Sequence, residues 1–140
     1  MKNLGGMSGA ASKKMLAHIR RSVPDVLAVY LYGSRALGLE RKDSDWDLAL
    51  LLPRGHSLNF DVLLKLNAEL SKIAGSPVEA SSLDAERFLV HAKEVVADGV
   101  VLFSSDEESR LEFETRVLSN YARFCEDRRP ILESYFPHYG

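Results

Sequence analysis

Apolar runs of strand character alternate with stretches of helical period along this chain, and that order leaves few fold classes open. The run Val26-Leu27-Ala28-Val29-Tyr30-Leu31-Tyr32 is rich in β-formers and ends at Gly33, which predicts a buried strand. Asp45 to Leu52, closed by Pro53, predicts a second strand, Pro77 to Ser82 a shorter third, and Val100-Val101-Leu102-Phe103 a fourth. Met15, Leu16, Ile19 and Val23 recur at helical spacing, so a helix is expected from Ala10 to Arg21, with Pro24 as its stop. Residues 58–74 place Leu63, Leu66, Leu70 and Ile73 on one helical face, with Gly75 as the cap. Asp84 stands where an N-cap belongs, for a helix running to Asp98 before Gly99. A last helix is expected from Glu107 to Arg128, with Phe113, Val117, Tyr121 and Phe124 on one stripe and Pro130 limiting or kinking it. Ser34 to Gly38 is too short for a full helix and reads as one helical turn. The expected fold is therefore α/β (α+β): a small mixed β-sheet packed with helices, in one domain spanning residues 1–140.

A chain of 140 residues can bury a real core. Its net charge of -2 argues against a protein that coats nucleic acid by neutralising phosphates. The charge is uneven: residues 1–44 carry eight Lys/Arg against three Asp/Glu, and the remainder ten against seventeen. A basic first part fits a phosphate pocket near the start, though chance surface variation gives the same pattern. The single cysteine, Cys125, permits no intrachain disulfide and fits a reducing, cytoplasmic setting. No apolar run is long enough to span a bilayer, so no membrane partner is expected. MKNLGGMSGAAS lacks an apolar h-region and reads as a leader over residues 1–9, with Met7 a second candidate start. There is no internal repeat and no low-complexity tract.

The chemistry concentrates around the second strand. Residues i and i+2 of a strand share a face about 6.6–7 Å apart, so Asp45 and Asp47 point the same way. Two carboxylates on one face of an apolar strand repel each other and resist burial. A pair of Mg²⁺ ions removes that cost, because hard cations prefer carboxylate oxygens, and two such ions can clamp both oxygens of a phosphoryl transfer. A bare Asp-x-Asp is more often a solvated strand end. Gly33-Ser34 adds context, because a glycine after a strand lets a phosphate approach the backbone, where N–H groups and the serine hydroxyl can hold its oxygens. Taken alone, Gly-Ser after a strand is an ordinary turn. Together, Gly33-Ser34 and Asp45-Trp46-Asp47 stand ten residues apart, which could set a triphosphate cradle beside a metal site.

The stretch GSRALGLERKDSDWDLALLL resembles the Gly-Ser-x10-Asp-x-Asp signature of the DNA polymerase β-type nucleotidyltransferase superfamily. The chain is similar in length to its minimal nucleotidyltransferase (MNT) branch, the antitoxins of HEPN/MNT toxin–antitoxin pairs. The pattern VEASSLDAERFLVHAKEVVADGVVLF is similar to that family's third strand, following helix and fourth strand. The resemblance spans Val26 to Phe103 and implies the polymerase β-like fold. It implies that Asp45 and Asp47 bind two Mg²⁺ ions, that Glu79 completes one metal shell and helps remove the acceptor proton, and that Gly33 and Ser34 hold the β and γ phosphates of ATP. The family most often places an aspartate where this chain has Glu79; glutamate is one methylene longer and still able to ligate or to accept a proton. Trp46 replaces a small aliphatic residue and is expected to pack on the opposite side of the sheet. Arg35 and Lys42 are nearby cations, more often solvated loop charges than phosphate contacts.

His18, His56, His91 and His138 are scattered without zinc-ligand spacing, and no nucleophile-elbow motif is present. Tyr135 to Tyr139 forms an aromatic tail expected to pack back on the core. The function implied by the resemblance is transfer of AMP from ATP onto a tyrosine of a HEPN ribonuclease toxin, by a chain with little room for an acceptor pocket of its own. Two alternatives stay open at this level: a free-standing small-molecule nucleotidyltransferase, and an antitoxin that acts by binding alone.

Overall fold

The structure, a computed structural model, describes residues 9–39 and 44–135. Residues 1–8 of the expected leader, Lys42, His138 and the aromatic tail beyond Tyr135 lie outside the described residues. The elements run α1 (Gly9–Ser22), β1 (Ala28–Tyr32), β2 (Trp46–Leu51), α2 (Phe60–Ala74), β3 (Val78–Ser82), α3 (Leu89–Asp98), β4 (Val100–Ser104) and α4 (Glu107–Tyr135). The strands form a four-stranded sheet in the order β3-β2-β1-β4. β1 is antiparallel to β2 and β4, while β2 and β3 are parallel, so the sheet is mixed as expected.

Helices cover both faces of this sheet, which is why β1 and β2 are apolar almost throughout. Val29, Leu31, Trp46, Leu48 and Leu50 pack with Met15 and Ile19 of α1 and Leu66 and Leu70 of α2. Ala28, Tyr30, Ala49 and Leu51 pack on the other face with Ala92 and Val95 of α3 and Phe113 and Val117 of α4. Tyr30 carries a polar atom into that second layer. Its hydroxyl donates to Glu114 at 2.8 Å, and Arg110 donates to the same carboxylate at 2.6 Å, tying α4 to the sheet. Burial and the Glu114 charge push the Tyr30 hydroxyl well above the usual tyrosine range.

β3 lies at the sheet edge, where unpaired N–H groups would invite another strand. Side chains of α2 occupy them: Val78 N–H donates to Ser71 Oγ and Ala80 N–H to Asn67 Oδ1, both at 2.9 Å. Ala80 is buried, so Asn67→Ala strands its amide and should cost about 1–3 kcal/mol. Urea denaturation reads this directly; an unshifted midpoint would show that water replaces the asparagine at no loss.

Three expectations need correcting. Asp84 does not open one continuous helix. Its Oδ1 accepts from Glu86 N and Arg87 N, but this caps only a turn. Phe88 then leaves helical geometry, at φ −128° and ψ 59°, and α3 starts at Leu89. The last helix does not stop before Pro130 but runs on to Tyr135; the proline forfeits one backbone bond on an exposed stretch. Of its expected stripe only Phe113 and Val117 are buried, while Tyr121 and Phe124 are partly exposed and stack on each other. The α2 expectation holds: Asn59 accepts from Val62 N at the start, and Gly75, at φ 72°, donates to Ser71 O at the end.

Candidate active site

Strand register sets the first feature of the site. Tyr32 of β1 pairs with Asp47 of β2, and Asp47 pairs with Glu79 of β3. Neighbouring strands lie about 4.8 Å apart, so these three side chains stand in one row. They share the face covered by α3 and α4, because Leu31, Trp46, Leu48, Val78 and Ala80, the residues of opposite parity, pack into the other layer. Tyr32 and Asp47 are half-buried and Glu79 is exposed.

Trp46 does turn to the opposite face, where it is 3% exposed. The Arg35 guanidinium lies 4.3 Å over its ring and donates twice to the Ser44 carbonyl, at 3.2 and 2.7 Å. Arg35 therefore anchors the chain entering β2. The ladder begins at Trp46, whose N–H donates to Pro77 O at 2.9 Å, so Asp45 sits exposed one residue ahead of the strand rather than within it.

Burial pushes the Asp47 carboxyl up from the usual aspartate range, and the charges of Glu79, Asp45 and Glu94 push it further. Gly33 makes room for this carboxyl. Its φ is +76°, and a Cβ there would overlap Asp47 Oδ2 and lie 3.2 Å from Asp47 Cγ. The expected turn follows, with Gly33 O accepting from Ala36 N and Leu37 N and Ser34 O from Leu39 N. The N–H groups that open such a turn have no partner within it.

Among the described residues no three His, Cys, Asp or Glu side chains converge closely enough to enclose a metal ion by themselves. Asp45 stands exposed just ahead of β2, next to the row that Asp47 and Glu79 form. The donor set still fits Mg²⁺. That ion is usually held by one or two carboxylates, with phosphate oxygens and waters completing its octahedron. The charges that raise Asp47 are carboxylates, which a divalent cation would offset.

Sequence reasoning missed Tyr32, His91 and Glu94. The Tyr32 hydroxyl and His91 Nε2 share a hydrogen bond of 3.1 Å, and their rings meet edge to face at 5.3 Å. Burial raises the Tyr32 hydroxyl above its ordinary value, and the charges of Asp47, Glu79 and Glu94 raise it further. His91 and Glu94 lie three residues apart on α3, a spacing that puts both on one helix face. That i,i+3 pair was the available signal, but nothing local ties it to β1.

Residues 14–108 match the model of the family described as polymerase beta, nucleotidyltransferase. The protein adenylyltransferase MntA of Shewanella oneidensis is 24% identical over 120 residues, covering 86% of this chain and 84% of that one. A chain from the crystal structure of a toxin–antitoxin with AMP-PNP superposes with a TM-score of 0.77 at 24% identity, covering 89% of this chain and 97% of its own. A chain from the structure of the tri-AMPylated Shewanella oneidensis HEPN toxin in complex with its MNT antitoxin gives 0.73 at 22% identity, over 92% and 98%. Among the described residues no helix is long and apolar enough to cross a membrane.

Proposed function

The chain belongs to the polymerase beta nucleotidyltransferase family, and from that premise we propose that it is an MNT-type antitoxin acting as a cytoplasmic protein adenylyltransferase. It moves AMP from ATP onto a tyrosine hydroxyl of a HEPN ribonuclease toxin and so silences it. The observation that carries this reading is the row formed by Asp47 and Glu79 beside the Gly33 turn. The likeness to MntA, named a protein adenylyltransferase, supports a protein as acceptor.

Asp45 and Asp47 would hold two Mg²⁺ ions, with Glu79 completing one shell, and the ions would neutralise charge on the phosphates. Gly33 and Ser34 hold the β and γ phosphates through backbone N–H groups and the serine hydroxyl. Arg35 and Trp46 keep the start of β2 in place, so that Asp45 and Asp47 meet the α-phosphate. Glu79 accepts the proton of the incoming hydroxyl. Positioning and charge neutralisation provide most of the rate, as in phosphoryl transfer generally.

The test incubates the chain with its HEPN partner, α-labelled ATP and Mg²⁺, alongside an Asp45→Asn/Asp47→Asn variant and an EDTA control. Label on a partner tyrosine, lost in both controls, is the expected result. A stable complex of the two proteins without label would replace this reading with neutralisation by binding alone.

A further inference from the structure

The Tyr32 hydroxyl has no part in the chemistry proposed above, yet it is held in place. Its hydrogen bond of 3.1 Å with His91 Nε2 joins the end of β1 to α3, and the two rings meet at 5.3 Å with 76° between their planes. Both residues are half-buried, so packing alone leaves room for either ring to turn. α3 gives His91 a fixed base, because Ala92 and Val95 of the same helix are buried with Ala28, Tyr30 and Ala49 of the sheet. Asp47 has a different neighbour on each side: Tyr32 opposite it on β1 and Glu79 opposite it on β3. Repulsion from Glu79 drives the Asp47 carboxylate towards β1. There its Oδ2 fills the space left by the missing Cβ of Gly33. Side chains directly opposite on an antiparallel pair have Cβ atoms about 4.5–5.5 Å apart, so the Tyr32 ring is the wall at that place.

We infer that His91 is a positioning residue: through its bond to the Tyr32 hydroxyl it fixes the ring that holds the Asp47 carboxylate against Gly33, ready for Mg²⁺ and the nucleotide. The inference rests on the nucleotidyltransferase function proposed above. Groups one step removed from a metal-binding side chain set its direction, and their loss typically costs about 10–100-fold in metal affinity or activity. A tyrosine hydroxyl suits the task. It bonds to a ring nitrogen and, while protonated, brings no charge to disturb the row. A phenylalanine ring at this position would keep the bulk of the wall but lose its anchor, and so be free to swing between rotamers.

The test compares Tyr32→Phe, His91→Leu, His91→Gln and the Tyr32→Phe/His91→Leu double variant in the full chain. Calorimetry reads the affinity for a non-hydrolysable ATP analogue with Mg²⁺, and labelled ATP reads the kinetics of transfer to the HEPN partner. A thermal melt checks folding, and Tyr32→Phe, which removes one oxygen, keeps the test open if a histidine variant fails. Tyr32→Phe and His91→Leu should each weaken analogue binding and lower kcat about tenfold, with the KM for the partner held within about twofold. The double variant should be no worse than either single one, because all three lose the same bond. His91→Gln, which can still donate or accept near the hydroxyl, should stay close to the wild type. Losses that multiply in the double variant would overturn the inference, since the two residues would then act separately. Unmoved affinity and kcat would overturn it as well, and so would a raised KM for the partner with analogue affinity unmoved. A wild-type chain that binds no analogue with Mg²⁺ would sink the nucleotidyltransferase function itself, a failure visible before any variant is measured.

Discussion

Asp47→Asn should abolish label transfer and at the same time raise the melting temperature of the ligand-free protein. The first effect follows from losing the carboxylate at the centre of the row, and a fall on the order of 10³-fold or more is expected. The second follows from the cost of that carboxylate to the fold. Burial raises its pKa, and Glu79, Asp45 and Glu94 raise it further. A carboxyl whose pKa is higher folded than unfolded gives stability that is complete below the unfolded value and lost as pH rises through the folded one. At neutral pH the wild type has lost that contribution, and asparagine escapes the penalty. The advantage of the variant should shrink as pH falls toward about 4, the ordinary aspartate value, because the folded carboxyl, with its raised pKa, takes up its proton before the unfolded one does. Mg²⁺ with a non-hydrolysable ATP analogue should reverse the order, stabilising the wild type more than the variant. Melts at pH 7 and pH 4 decide the matter. A variant less stable than the wild type at pH 7 would contradict the charge argument, and retained transfer would remove Asp47 from the chemistry.

Gly33→Ala should damage activity far more than stability. The left-handed backbone at φ +76° costs a non-glycine residue about 1–2 kcal/mol. The added Cβ would also overlap Asp47 Oδ2 and push the carboxylate out of the row. A displacement of about 1 Å at a reacting centre can cost about 10²-fold in rate. Gly55→Ala supplies the control. Its φ is +84° and the space around its missing Cβ is open, so it carries the backbone penalty without the collision. Gly55 lies in the β2–α2 loop, past the end of β2 remote from Asp47. The two variants should melt at similarly lowered temperatures, and only Gly33→Ala should lose transfer. Equal activity in both would show that the close approach of Gly33 to Asp47 has no role.

Much of the site was legible before any coordinates. Gly33 ends β1 because the chain must turn there, and Trp46 and Asp47 point to opposite faces because a strand alternates. Both statements need only local geometry, and both hold. Asp45 was misplaced by one position, since the ladder starts at Trp46, where the Pro77 carbonyl accepts the first bond. A ladder's start depends on a distant partner, here 31 residues along the chain, and no local pattern reports it. Asp84 makes the same point in reverse: its capping bonds are local and form as expected, yet the helix waits until Leu89 because Phe88 leaves helical geometry.

The amino-acid sequence by itself determined the number, kind and order of the elements in the described part of the chain, the two-sided burial of β1 and β2, and the pairing of Gly33-Ser34 with Asp45-Trp46-Asp47. These follow from periodicity, turn residues and the cost of leaving apolar surface in water, all of which act over a few neighbouring residues. Only the tertiary structure decided the register that aligns Tyr32, Asp47 and Glu79, the contact of His91 with a tyrosine 59 residues away, and the reach of the Glu94 charge to Asp47. Those depend on how strands slide against each other and how α3 docks on the sheet. A one-residue slip would send every side chain of a strand to the other face, so the row exists only once the packed layers have selected its register.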